Sequence, residues 1–370
     1  MLGGIVGVSL APTPALATLP IALMVVGVAI FVIPASIIMR RIGRKKGFMI
    51  AAFVASLASL LAFYALDISS FALFCTATLL FGMNRAFVQQ YRFAAVESVN
   101  KEFAGRAVSF VLVGGLFAAF LGPEIAKRTE GLLENNIYGA AFLVVSVLYI
   151  LVILILAFME DVSFAKNTKS GPTRPLLEII KQRNFGIAAM AGAVSFAAMT
   201  LVMTATPIQL NEISGFELVH SAGVIQGHII AMYLPSLFTG ILLERLGIFR
   251  IMVSGAIILL GAMFVGYFSG LNLTLYWIAL VLLGLGWNLL FVGGTVLLTH
   301  THNESERFKT QAANDFIVFG TQAVASFSAG SLLFISGWQL ITVIGFTVVL
   351  ATFVILLTQR QKFPTGQVSA

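Results

Sequence analysis

The chain has one cysteine, Cys75, and it sits in an apolar run. A disulfide framework and a thiolate metal cluster are both excluded by that count. Charge is nearly as scarce: Asp, Glu, Lys and Arg make up 10% of the 370 residues, against 59% hydrophobic residues. With a mean hydropathy of +1.00, too little polar sequence is left to coat a soluble domain, so the chain reads as an integral membrane protein. The two-residue alternation of an outer-membrane barrel is missing, which leaves a bundle of helices. No phosphate loop, nucleotide motif or nucleophile triad is present, so ATP-driven transport and catalysis have no support, and no cofactor is called for. The opening stretch lacks a basic leader and a cleavage site, so no signal peptide is expected.

What remains is eleven apolar stretches: 16–39, 47–66, 71–93, 107–125, 138–158, 185–210, 222–243, 251–268, 275–298, 312–335 and 340–357. Most are close to the ~20 residues needed to cross hydrocarbon. The net charge of +7 is concentrated in alternate loops. One side carries nineteen Lys and Arg, including Arg40, Arg41, Arg44, Lys45 and Lys46, and the other only Lys127 and Arg128; Arg85 lies inside a span. The positive-inside rule places the nineteen, with the tail 359–370, in the cytoplasm, so the charge reports topology and not nucleic-acid binding. The one long polar connection, 159–184, divides the chain, and 175–185 reads as a short interfacial helix.

A repeat links the two sides of that connection. Gly82, Asn84, Phe87 and Val88 recur 204 residues later as Gly286, Asn288, Phe291 and Val292. The same offset carries Arg41 and Gly43 onto Arg245 and Gly247, and Glu102 onto Glu306. Two copies of one bundle in the same orientation are the architecture of a rocking solute carrier. The halves expected are 1–158 and 185–358. The first is one span short, because the partner of 185–210 would end near residue 6, and 1–10 makes only ~15 Å of helix. Either the true start lies upstream, the preferred expectation, or the product is truncated.

On these residues the chain resembles the major facilitator superfamily of secondary transporters. The loop signature of that family, Gly-x-x-x-Asp-Arg-x-Gly-Arg followed by Lys or Arg, is half kept at 36–45: Arg41, Gly43, Arg44 and Lys45 match, while Ser36 and Arg40 replace the Gly and the Asp. Its second copy keeps Gly240, Glu244, Arg245 and Gly247 and loses the basic end. The resemblance implies two six-helix halves, with helix 1 largely missing here, and a central cavity lined by the first, fourth, seventh and tenth helices. The glycines of the antiporter motif are only partly matched by Gly114, Gly115, Gly122 and Pro123, so antiport is not inferred.

Arg85 is the sharpest candidate for substrate binding. It lies ~14 residues, or about 21 Å, into its span, and an intramembrane Arg normally faces a cavity or a partner. Gln89 and Arg92 follow at i+4 and i+7, giving a polar stripe with Asn84 beside it. Asn288 and Trp287 stand at the repeat positions of Asn84 and Met83; the competing reading for the paired Asn is interhelical hydrogen bonding. Ser195, Thr200, Thr204 and Thr206 read as helix-packing residues, and Gln226, His228 and Tyr233 as weaker candidates. His300 and His302 read as interfacial residues, so no metal site is expected. None of the 15 acidic residues lies mid-span; Arg85 therefore meets an anionic group of the solute or a counter-ion in the missing helix. The basic loops read as gates: Arg41 and Arg44, with Gly43 between them in the loop, are placed to meet Glu97 and Asp315, mirrored by Glu244 and Arg245, at about 1 kcal/mol or less per exposed pair.

The sequence is thus read as a monomeric secondary active transporter of a bacterial inner membrane, moving a small organic solute, anionic in one version, with H+ as the candidate coupling ion. The alternatives are a multidrug or metabolite efflux carrier, or a non-transporting sensor or truncated inactive carrier. Reading the DNA upstream of Met1 is expected to reveal an in-frame apolar segment; its absence would favour the inactive alternative.

Overall fold

The computed structural model describes residues 6–7, 9–13, 16, 19–133, 136–160 and 173–359. The expected interior of the central loop and the expected tail lie largely outside them. The helices are α1 Leu19–Ile42, α2 Arg44–Asp67, α3 Phe71–Val88, α4 Tyr91–Glu97, α5 Ala104–Thr129 and α6 Gly139–Ala157. They continue with α7 Leu176–Ile180, α8 Arg183–Ile208, α9 Leu218–Tyr233, α10 Ser236–Leu246, α11 Ile248–Tyr267, α12 Leu273–Thr299 and α13 Arg307–Thr358. No strand occurs among the described residues.

Ten helical stretches among the described residues are long and apolar enough to cross a membrane. The last holds two such stretches, joined at Gly337, whose φ of 77° breaks the helix, so the described residues hold eleven, the number expected. Two expected spans are interrupted. The stretch 71–93 turns at Gln89–Gln90, between α3 and α4. The stretch 222–243 is divided between α9 and α10 at Pro235, which has no N–H to bond back and crowds the preceding turn. Of the expected remnant 1–10, residues 1–5 and 8 lie outside the described residues; Val6 is fully buried among Ala62, Ala65, Phe74, Ala77 and Phe142. Outward faces carry exposed Phe110, Leu154, Phe158, Phe334 and Ile335, a surface suited to lipid and not to water.

Contacts sort the chain into two compact units, 1–94 with 120–171, and 95–119 with 172–370. In the first, α3 packs on α1 and α2, and α2 packs on α6. In the second, α12 packs on α9 and α11, and α11 packs on α13, the same pairings carried forward by the sequence offset. Gly43, between α1 and α2, has φ 90° and ψ 159°; Gly247, between α10 and α11, has φ 82° and ψ 159°. Each reverses the chain within one residue, in a backbone region that L side chains avoid. The repeated Arg-x-Gly is thus turn chemistry first.

Helices touch closely where a side chain is missing. A Cβ on Gly82 of α3 would lie 2.3 Å from the Met24 carbonyl oxygen and 2.9 Å from Gly27 Cα. In the second unit, a Cβ on Gly240 of α10 would lie 2.7 Å from Arg106 Cα and 2.9 Å from the Gly105 carbonyl oxygen of α5. Ala104, Val108, Leu243, Ile251, Leu289, Val292 and Val296 form a core cluster in this unit. Because the clash is with backbone, Gly240→Val is expected to cost at least about 2 kcal/mol, read as a lower melting temperature in detergent. Gly261→Ala, which would meet nothing within 4 Å, should melt like the parent.

Candidate functional site

In the first unit, α3 presents Arg85 to a recess of about 360 Å³ walled by Met24, Phe81, Asn84, Val88, Val145 and Tyr149. The wall is mainly apolar, with one cation, one amide and one phenol, the composition expected of a small-molecule site. Arg85 itself is exposed, while Asn84 is buried beside it. The Tyr149 hydroxyl donates to Asn84 Oδ1 at 3.3 Å. Tyr149 was not singled out from the sequence; the available signal was a lone phenol in the middle of the 19-residue apolar helix α6.

The polar stripe expected along Arg85, Gln89 and Arg92 is corrected by the structure. Gln90 N–H bonds back to the Phe87 carbonyl at 2.9 Å, tightening the last turn, so α3 ends at Val88 and Gln89 caps it. Arg92 lies in the next helix, α4, is 2% exposed, and places its guanidinium 4.5 Å from the Phe93 ring centroid. It does not share a face with the exposed Arg85.

Asn288, in the second unit, is fully buried and has three partners. Its amide donates to the Met232 carbonyl at 2.8 Å and Ser236 Oγ at 2.6 Å. Its oxygen accepts from Thr239 Oγ1 at 2.7 Å. These groups flank Pro235, so one amide ties the broken α9–α10 pair to α12. Trp287 lies in a ring cluster: it stacks on Phe291 at 5.0 Å and meets Phe196 edge-on at 5.2 Å. Ser195 and Thr206 donate to carbonyls of their own helix.

The expected gate residues have these partners. Arg41 is exposed, and Arg44 is 2% exposed, its guanidinium donating to Gln90 Oε1 at 3.4 Å and touching Met39 Sδ at 3.9 Å. Glu97 pairs with Arg307 at 3.5 Å and accepts from Gln311 Nε2 at 3.3 Å. Glu244 pairs with Arg106 at 2.6 Å, leaving its neighbour Arg245 exposed. Asp315 is buried and accepts from Asn314 Nδ2 at 3.0 Å. Arg106 and Arg307, which sequence reasoning did not assign to the gate, supply these ion pairs. A further buried carboxylate, Glu306, accepts a forked Arg174 at 2.8 and 2.5 Å, holding the end of the central connection beside the start of α13.

A sequence model of the family described as Major Facilitator Superfamily matches residues 1–319. The chain belongs to this superfamily. It is 40% identical to the riboflavin transporter RfnT of Brucella anthropi, over 96% of this chain and 89% of that protein. It is 27% identical to the uncharacterised MFS-type transporter YdeG of Bacillus subtilis, over 93% of the chain and 83% of that protein. Among solved structures, the E. coli fucose:proton symporter FucP covers 93% of the chain, with 90% of its own chain covered, at TM-score 0.72 and 16% identity. The human organic anion transporter MFSD10 covers 96%, with 88% of its own chain covered, at TM-score 0.73 and 12% identity. At these identities the likeness is one of fold. The chain is therefore a multi-pass secondary transporter of small molecules and not an enzyme.

Removing the Asn288 amide strands buried polar partners, at about 1–3 kcal/mol for each group left bare. Asn288→Ala is therefore expected to lower the melting temperature in detergent more than Asn84→Ala, whose amide oxygen has a single long contact to Tyr149.

Proposed function

We propose that this superfamily member carries riboflavin across a bacterial inner membrane. The observation that carries the reading is the 40% identity to a riboflavin transporter along 96% of the chain. The halves 1–158 and 185–358 alternate access to the solute, with the basic loops and the tail on the cytoplasmic side and H+ as the coupling ion. The carrier works as a monomer. Arg41, Gly43, Arg44, Glu97, Glu244, Arg245 and Asp315 act at its gates, joined by Arg106 and Arg307.

Riboflavin is a flat apolar ring system with polar edges and a polyol chain, and it is uncharged at neutral pH. The recess beside Arg85 supports such a solute: Met24, Phe81, Val88 and Val145 give apolar wall, and Arg85, Asn84 and Tyr149 give donors and acceptors. Gln89 belongs to the expected polar set in the same unit; Asn288, the member of that set in the second unit, acts by fixing α12 from within. With a neutral solute, Arg85 serves as a hydrogen-bond donor to carbonyl or hydroxyl oxygens and not as the counter-ion of an anion.

The test is flux of labelled riboflavin in vesicles, with flavin mononucleotide as the anionic competitor, for the parent chain and Arg85→Ala. Saturable riboflavin flux that flavin mononucleotide competes for poorly is expected. Arg85→Ala should reduce kcat/KM at least about tenfold, the size of one charge-assisted hydrogen bond. No riboflavin flux in either direction would sink the proposal, and strong competition by flavin mononucleotide would restore the anionic solute.

A further inference from the structure

Five aromatic rings from four helices meet in the second unit. Phe196 of α8 lies 5.2 Å from Trp287, 5.0 Å from Phe291 and 5.3 Å from Phe319, edge-on to each. Trp287 stacks on Phe291, one turn along α12, with an interplanar angle of 22°. Tyr233 of α9 closes the set, its ring centroid 6.1 Å from Trp287. Phe196, Trp287, Phe291 and Phe319 are all at most 3% exposed. Tyr233 alone is partly open.

Packing accounts for the rings but not for the indole nitrogen. Trp287 Nε1 is buried with no acceptor among the described residues. A donor stranded in this way is destabilising. The other indole buried in this unit is not stranded, since Trp338 Nε1 donates to the Gly266 carbonyl at 2.7 Å. A phenylalanine would fill much of the same space without a bare N–H, as Phe291 does beside it. The N–H therefore calls for a partner that arrives with another occupant of the site.

We infer that Trp287, with Phe196 and Phe291, forms a ring-recognising site within the second unit. Its ligand is a flat, electron-poor heteroaromatic ring with a carbonyl on its edge. The ring lies against the electron-rich indole or the neighbouring phenyl faces, and its carbonyl accepts the Trp287 N–H. Tyr233 is the ring that moves aside to admit it, being the one with an open edge. This inference rests on the riboflavin reading and deepens it: the isoalloxazine ring has this chemistry, and the ribityl chain plays no part in the contact.

The test measures binding to the purified full-length chain in detergent with two probes: riboflavin, and lumichrome, the tricyclic ring without the ribityl chain. The proteins are the parent, Trp287→Phe and Trp277→Phe, the last an exposed tryptophan on the same helix. The parent is expected to bind both probes and to quench riboflavin fluorescence on binding, because the indole contacts the ring. Trp287→Phe should weaken both probes at least tenfold, and Trp277→Phe neither. A parent that binds riboflavin without quenching it, or a folded Trp287→Phe with unchanged affinity, overturns the inference and leaves the riboflavin reading standing. Binding of riboflavin but not lumichrome overturns the ring assignment in the same way. A parent that binds neither probe overturns both readings.

Discussion

In hydrocarbon, two helices gain nothing by hiding apolar side chains from each other, so what holds this fold is close backbone approach. The crossings depend on positions where a single methyl group would collide with main chain: Gly82 against Met24 and Gly27, Gly240 against Gly105 and Arg106, and Gly284 against His228 and Met232. Each brings many weak dispersion contacts within range at once, and together they replace the hydrophobic effect of a soluble core. The large apolar side chains are left free to face lipid, which is why Phe158 and Ile335 are exposed.

The same solvent makes each polar group inside a span significant. Most have internal partners. Asn288 joins three groups around the Pro235 break, and Ser56 meets Ser146 at 2.8 Å between α2 and α6. These contacts hold helices in register. Arg85 stands apart because it faces a recess, and Trp287 Nε1, like Ser109 Oγ and His228 Nε2, is buried with no hydrogen-bond partner among the described residues. Leaving a cation and an indole N–H without such partners inside spans is costly for stability.

The internal repeat shows where the two halves have kept a shared geometry and where they have diverged. Gly43 and Gly247 hold nearly the same backbone angles, because a one-residue reversal tolerates little else. Asn84 and Asn288 share a position but not a role: one edges a recess and bonds a phenol, the other is sealed among helix backbones. Glu102 and Glu306 differ in the same way, the first exposed and the second buried under the Arg174 fork. Repeat symmetry thus predicts backbone more reliably than side-chain use.

Composition, periodicity and the 204-residue offset were enough to determine the helical class, the apolar spans and the repeat, because these depend on the chain's own local properties and on a solvent that permits few architectures; the loop residues at 36–45 and 240–247 carried the resemblance to the superfamily. Arg85 was legible too, since charge within an apolar run is visible without coordinates. Tertiary structure decided the rest. Tyr149 joins Asn84 only because α6 lies within reach of α3, and Arg106 meets Glu244 only because two glycines let α5 and α10 cross. The supposed stripe from Arg85 to Arg92 failed because α3 ends before the turn at Gln89–Gln90 and Arg92, in the next helix, is buried. The bare nitrogen of Trp287 is a property of everything around it, and no spacing along the chain encodes the absence of a partner.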